Sequence, residues 1–351
     1  MTNISRRRLL AATAGAIAAS PFLVSSLVHA KDNRIVVTSL GGLWERSIRR
    51  DFIPLFKKRT GADVDIVLGG PSQWMSQIES QPGKPPLDTI DNSETLAYQL
   101  MAQDMAVKLT EDKVPNLADI PPIFRAPWDD YAAMYMYSAA GFFYNKEKIK
   151  DPPKSWVEFF ERAGKGEFGK SLSLPDISYG WGNAFIWAYA AAHGGGIDNI
   201  ELGFDAIERV KPYVVKFWAN SGEVERLITS REVDIGVFWD GRIHSLIEGG
   251  ADYLGFQRMD SHVLISGMAS QVVKNGNEAL ALEFLNTLLD PVPQLRFHET
   301  INYAVTNAKV QYPEARKNQI LPASEGIIPP YRELAQLTPG MIQTWNQKIR
   351  T

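Results

Sequence analysis

Aromatic and charged side chains gather where apolar runs end and glycine-rich turns begin, positions from which side chains and backbone N–H groups can face a ligand. Trp44 follows the turn Ser39-Leu40-Gly41-Gly42, and Ser72 and Trp74 follow or adjoin Gly69-Gly70-Pro71. Tyr179 and Trp181 flank Gly180, while Trp239 and Asp240 close the apolar run 233–239, with Arg242 two residues beyond. Aromatic walls beside a carboxylate suit an ammonium group: a desolvated cation–π contact contributes up to about 2 kcal/mol, and a charge-assisted hydrogen bond about 1.5–3 kcal/mol. This reading makes Trp239 and Asp240 the leading pair and a small organic amine, such as a short polyamine, the favoured solute. Arg242 suits the opposite charge, because a guanidinium can grip a carboxylate through two parallel hydrogen bonds; an amino-acid-like or opine-like solute is the alternative. Trp44 could instead open the core face of a helix, and Trp187 and Trp218 read as core.

The residues of covalent and metal chemistry are missing or dispersed. The chain has no cysteine, which excludes a disulfide scaffold, a thiolate metal site and a cysteine nucleophile. His193, His244, His262 and His298 each have different neighbours, and neither G-x-S-x-G nor H-E-x-x-H occurs. Asp176 and Asp240 are the pair a hydrolase reading would need, and Tyr135 and Tyr137, which are not adjacent, the pair a ferric-iron reading would need. Both are weaker than solute binding, so the expectation is a protein that is not an enzyme and carries no cofactor and no metal. The glycine turns could hold an anion at helix N-termini, but no phosphate-loop or dinucleotide pattern accompanies them.

The elements that must position these residues alternate between strand and helix. The run 34–38 reads as a buried strand, and Trp44, Ile48, Phe52, Leu55 and Phe56 recur at helical spacing with Pro54 expected to kink or restart the helix. Strands at 64–68 and 87–91 alternate with helices at 72–80 and 95–103. A proline-rich loop spans 114–127, and two apolar strands follow at 132–137 and 140–144. Ser155 with Glu158 forms a capping-box pattern. Strands at 171–174 and 233–239 and helices at 183–192, 200–217, 241–248 and 277–289 complete the pattern. Such alternation predicts a mainly parallel sheet covered on both faces, an α/β protein of two units.

Residues 1–30 read as an export signal: Ser5-Arg6-Arg7-Arg8-Leu9-Leu10 resembles the twin-arginine motif, an uncharged alanine-rich run follows, and Val28-His29-Ala30 offers a cleavage site. The whole chain has net charge −3. Arg6, Arg7 and Arg8 are the only charges before Lys31, so the mature chain carries −3 − 3 = −6. With no lysine- or arginine-rich cluster beyond Lys57-Lys58-Arg59, nucleic acid is not an expected partner. An exported protein without a cysteine for lipid attachment is retained only behind an outer membrane, which points to the periplasm.

Several segments, in order, resemble the spermidine/putrescine-binding group of family 1 extracellular solute-binding proteins: Phe56 to Gly61 with the strand after it, 87–109, Ala140 to Lys146 (AGFFYNK) followed by Pro153-Lys154-Ser155-Trp156, 233–242, and Asn302 to Asn307 (NYAVTN). The resemblance implies a two-lobed periplasmic binding protein of type II-like fold, with the ligand cleft between the lobes. Residues 31–139 and 266–308 would form lobe 1, and 140–265 with 309–351 lobe 2. It implies a monomer that closes about a hinge on a small-molecule solute and passes it to an inner-membrane ABC permease. It also adds Tyr303, in the late cleft loop, to the candidate site. Polyamine binders of this group carry an aromatic residue and an aspartate on the returning crossover strand; Ser266-Gly267-Met268-Ala269-Ser270 has neither.

Overall fold

The computed structural model describes residues 33–350, so the expected export signal lies outside the described residues. Strand β1 (Arg34–Ser39) pairs in parallel with β2 (Asp63–Leu68) along its whole length. The connection between them is helical but interrupted: helix Leu43–Ser47, a π-helical turn Ile48–Phe52, then helix Ile53–Thr60. Pro54 explains the interruption. It has no N–H for the carbonyl one turn back, so the hydrogen-bond ladder slips just ahead of it. Helix Pro71–Ser80 leads to β3 (Thr89–Asn92), and helix Glu94–Ala102 follows directly. The loop expected over 114–127 contains three short 3₁₀ turns.

The two apolar runs that suggested separate strands are one strand of thirteen residues, β4 (Ala133–Asn145). What looks like a break, Ser138-Ala139, is a place where the strand changes partners. Its first part, Ala133 to Ala139, pairs antiparallel with β9 (Val263–Val272). From Ala140 onward it pairs antiparallel with β7 (Ile235–Trp239) and, at its end, with β8 (Leu254–Gln257). Parallel β5 (Leu172–Pro175) and β6 (Val214–Trp218) extend the sheet beyond β7. Two short strands, β10 (Ala304–Val305) and β11 (Gly326–Ile327), edge β4 and β9.

The result is a two-lobed α/β fold, parallel within each lobe's own units and antiparallel where β4 and β9 cross, rather than mainly parallel throughout. β1, β2 and β3 lie on one side of the crossing; β5, β6, β7 and β8 lie on the other. The helix expected over 200–217 ends at Val210, because Pro212 cannot continue it, and β6 takes over. Helix Trp156–Gly164 begins at the expected cap: the Glu158 N–H donates to Ser155 Oγ at 3.1 Å, and Glu158 Oε2 reaches back one residue past the cap to accept from the Lys154 N–H at 2.8 Å.

The last helix, Tyr331–Lys348, touches elements on both sides. Near its start Tyr331 stacks on Trp128 and Arg332 lies over Tyr98. Near its end Trp345 meets Phe217 edge-on and Lys348 pairs with Glu201 and Asp205. Among the described residues no helix is long and apolar enough to cross a membrane.

Candidate functional site

Six of the expected residues converge on one cavity of about 50 Å³: Trp44, Tyr179, Trp181, Trp239, Arg242 and Tyr303. Trp44 lies in the first turn of helix Leu43–Ser47, entered through Gly42, which takes the left-handed φ of 70° that a side chain would resist. Its indole Nε1 donates to Tyr135 at 3.0 Å, and the Tyr135 hydroxyl donates to Asp91 at 3.3 Å, so a buried carboxylate fixes the ring from behind. Tyr303 meets Trp44 edge-on at 5.4 Å. From the other side Trp239, the last residue of β7, donates through Nε1 to the Tyr179 hydroxyl at 2.8 Å, and Tyr179 packs against both Trp181 and Trp218. Trp218 is fully buried, as expected of core, whereas Trp187 is partly exposed.

Arg242, in the first turn of helix Asp240–Glu248, brings the cavity's positive charge. Its Nε donates to the Tyr303 hydroxyl at 3.1 Å, and Nη1 lies 3.3 Å from Glu225. Burial works against the guanidinium, but Tyr303 and Glu225 outweigh it and hold its pKa above the ordinary value.

Three of the expected residues lie elsewhere. Asp240 does not line the cavity. It is buried, and its Oδ1 accepts from Ser138 Oγ at 2.5 Å, the Ala139 N–H at 3.2 Å and the Gly241 N–H at 2.6 Å. Its carboxylate therefore holds β4 where that strand changes partners, and burial pushes its pKa up to about 6. Trp74 is fully buried core, and Ser72 is exposed on the surface of helix Pro71–Ser80; glycine-rich turns precede both, but neither lines the cavity.

The residue types that escaped notice are small, apolar or remote. Leu40, Met136 and Met268 supply an apolar floor, and Ser138, Ser221 and Ser266 supply hydroxyls. Gly267 lies in the wall because nothing larger fits: a Cβ there would come within 2.1 Å of the Met136 carbonyl oxygen. Behind this wall stands Glu94, at the start of helix Glu94–Ala102. Its carboxylate accepts from Ser266 Oγ, from the Gly267 N–H at 2.9 Å and, across the cleft, from Trp181 Nε1 at 2.5 Å. Burial raises its pKa against the hydrogen bonds from Ser266 and Gly267. No aromatic neighbour or glycine turn marks Glu94 in the sequence. The only hint was an acid opening a helix after a strand.

Catalytic and metal readings find no assembled site. Asp176 Oδ1 accepts from the N–H and hydroxyl of Ser178, closing its own turn. Tyr135 serves Trp44 and Asp91, and Tyr137 donates to the Leu321 carbonyl. His298 is buried with Nδ1 2.8 Å from the Tyr303 carbonyl, a contact that positions the loop. Among the described residues no three of His, Cys, Asp and Glu meet as a metal would need.

The fold that carries this cavity is matched by known proteins. The model of the bacterial extracellular solute-binding protein family matches residues 53–323. The chain belongs to that family. Solute-binding proteins of this kind serve ABC transporters outside the cytoplasm, passing small solutes to a membrane permease. A solved extracellular solute-binding protein from Bordetella parapertussis is 31% identical with a TM-score of 0.81, covering 91% of this chain and 99% of that one. The spermidine/putrescine-binding periplasmic protein of Escherichia coli (strain K12) is 24% identical over 90% of this chain and 89% of its own length. The binding protein MotA from A. tumefaciens B6, solved in complex with glucopine, shares the fold at 19% identity, with a TM-score of 0.74 over 90% of this chain and 99% of its own.

Proposed function

We propose that this chain is the periplasmic component of an ABC importer and that it captures a small organic solute bearing a carboxylate, amino-acid-like or opine-like, by closure of its two lobes. The observation that carries the reading is the cavity's charge: Arg242 lines it, and no carboxylate does. Glu94 and Asp240 are each committed to three donors behind the wall. A guanidinium with hydrogen-bonding capacity left over in an aromatic-walled cavity favours an anion. A cavity of about 50 Å³ holds roughly three or four waters, so a solute of several carbons enters only when the lobes part. The partner change in β4 at Ala139/Ala140 supports lobes of 31–139 with 266–308 and of 140–265. The contacts of the C-terminal helix on both sides favour treating 331–348 as a bridge between them.

The decisive experiment is a thermal-shift screen of amines, amino acids, opines and sugars on the mature protein, since a solute that binds only the folded state raises the melting temperature. The reading expects hits among carboxylates and their loss in Arg242→Ala. Hits among simple diamines alone, or unimpaired binding by Arg242→Ala, would overturn it. A polyamine is the second reading, supported by the names of the Escherichia coli and Salmonella relatives. The periplasmic reading carries its own check: protein from a periplasmic extract should begin at or near Lys31, and replacing Arg6 and Arg7 by lysine should block export by the twin-arginine route.

A further inference from the structure

A second cavity, of about 260 Å³, adjoins the first, and Trp44 and Arg242 line both. Its other walls include Leu43, Leu246 and Ile301, with Glu225 as its only carboxylate. The Arg242–Glu225 pair therefore stands at the junction of the two spaces, with the cation reaching into both and the acid facing the outer one alone.

The pair is loosely made. Nη1 and Oε1 are 3.3 Å apart, against 2.7 Å for the tighter Arg59–Asp290 pair, and no hydrogen bond joins them. The backbone carbonyl of Glu225 accepts from Thr229 Oγ1 at 2.8 Å, but among the described residues its carboxylate has no partner besides Arg242. Burial raises its pKa further than Arg242 lowers it, so its negative charge is under-compensated where it stands. A half-buried carboxylate in that condition gains from a second cation.

We infer that Glu225 is a specificity-determining residue that reads an ammonium group on the solute, and that the solute is an elongated zwitterion with an amino-carboxylate head at the Arg242–Glu225 pair and a tail in the outer cavity. The inference rests on the carboxylate reading of Arg242. The chemistry excludes two neighbours of that solute. A carboxylate lacking the amine brings its charge toward Glu225 with nothing to offset the repulsion. A diamine satisfies Glu225 but meets the Arg242 guanidinium. Discrimination thus comes from the repulsive member of the pair as much as from the attractive one. The apolar residues of the outer cavity tolerate a tail of varied structure, so selectivity resides in the head.

The test uses matched probes on the mature protein: glutamate against glutarate, 4-aminobutanoate against butanoate, and arginine against 5-guanidinopentanoate, each titrated by calorimetry and thermal shift. In the wild type at least one amino-carboxylate should bind ten times or more tighter than its partner lacking the amine. Glu225→Gln should reduce that ratio to within about threefold, tightening the amine-free partner as the repulsion disappears. Glu225→Asp should restore part of the ratio, which a purely structural role for Glu225 would not produce. Absence of any such preference in the wild type, or an undiminished ratio in Glu225→Gln of wild-type melting temperature, overturns the inference. The two readings fail separately: carboxylates that bind through Arg242 without amine discrimination sink only the role of Glu225, whereas binding indifferent to Arg242→Ala sinks the carboxylate reading itself.

Discussion

Replacing Glu94 by alanine orphans three donors at once, and the cost can be worked from their geometry. The Ser266 hydroxyl, the Gly267 N–H and the Trp181 indole N–H all lose an acceptor. An unsatisfied buried donor costs about 1–3 kcal/mol, which gives a gross penalty of roughly 3–9 kcal/mol. Two effects offset it: burial already disfavours the ionised carboxylate, as its raised pKa shows, and the space vacated can admit a water to polar partners. A net loss of about 3 kcal/mol follows. With an unfolding entropy of about 2.1 cal/mol/K per residue over some 320 residues, that lowers the melting temperature by about 4–5 °C. Glu94→Gln separates the contacts further. Its amide oxygen can still accept from Ser266 and Gly267, but its NH₂ would then face the indole N–H of Trp181, donor to donor. Calorimetric melting at pH 7.5 should rank wild type above Glu94→Gln and Glu94→Gln above Glu94→Ala. A Glu94→Ala protein melting within 1 °C of wild type would refute the reasoning.

Asp240→Asn should behave in the opposite sense. All three donors use Oδ1, which asparagine keeps, while the buried charge is removed. A folded-state pKa of about 6 against the ordinary 3.8 means the native state holds its proton more tightly than the unfolded chain. That contribution is complete below about pH 4 and is lost as pH rises through about 6, an effect of up to about 3 kcal/mol. The substitution should therefore raise the melting temperature at pH 7.5 and flatten its fall between pH 4 and 7, with solute affinity unchanged within about twofold. Unaltered pH dependence would contradict this. Gly267→Ala must push β4 and β9 apart against the Met136 carbonyl, costing about 2–3 kcal/mol and weakening solute binding; a fully stable, fully binding variant would count against the close approach. Trp345→Ala removes a buried ring and should cost about 3–5 kcal/mol, with limited proteolysis cutting first within 331–350.

The sequence carried the alternation of strands and helices, the Pro54 interruption and the Ser155 cap, because each depends on neighbours a few residues away. It misled where tertiary partners decide. Ser138-Ala139 looks like a strand break and is a change of pairing partner. Asp240 looks like a ligand carboxylate beside Trp239, yet only the fold brings the β4 backbone onto it. The aromatic wall residues were legible because large rings at strand ends are rare and costly to expose. Glu94, Glu225 and Gly267 were not, because their importance comes from partners beyond their local segment: Arg242 for Glu225, Met136 for Gly267, and Trp181, Ser266 and Gly267 for Glu94. Gly267 is a case where size alone is read, from the carbonyl it must clear.

The C-terminal helix bears on how the protein can move. Its first turn is fastened to Trp128 and Tyr98, its last to Phe217, Glu201 and Asp205, and Pro339-Gly340 falls between the two anchorages. Proline withdraws one rung of the backbone ladder there, and glycine adds no side chain to stiffen it. An unbroken rod fixed at both ends would act as a strut and resist any change in the angle between its attachments. A rod with a soft joint at its middle would act as a tether: in the proposed closure it would limit how far the lobes separate and leave small rotations cheap.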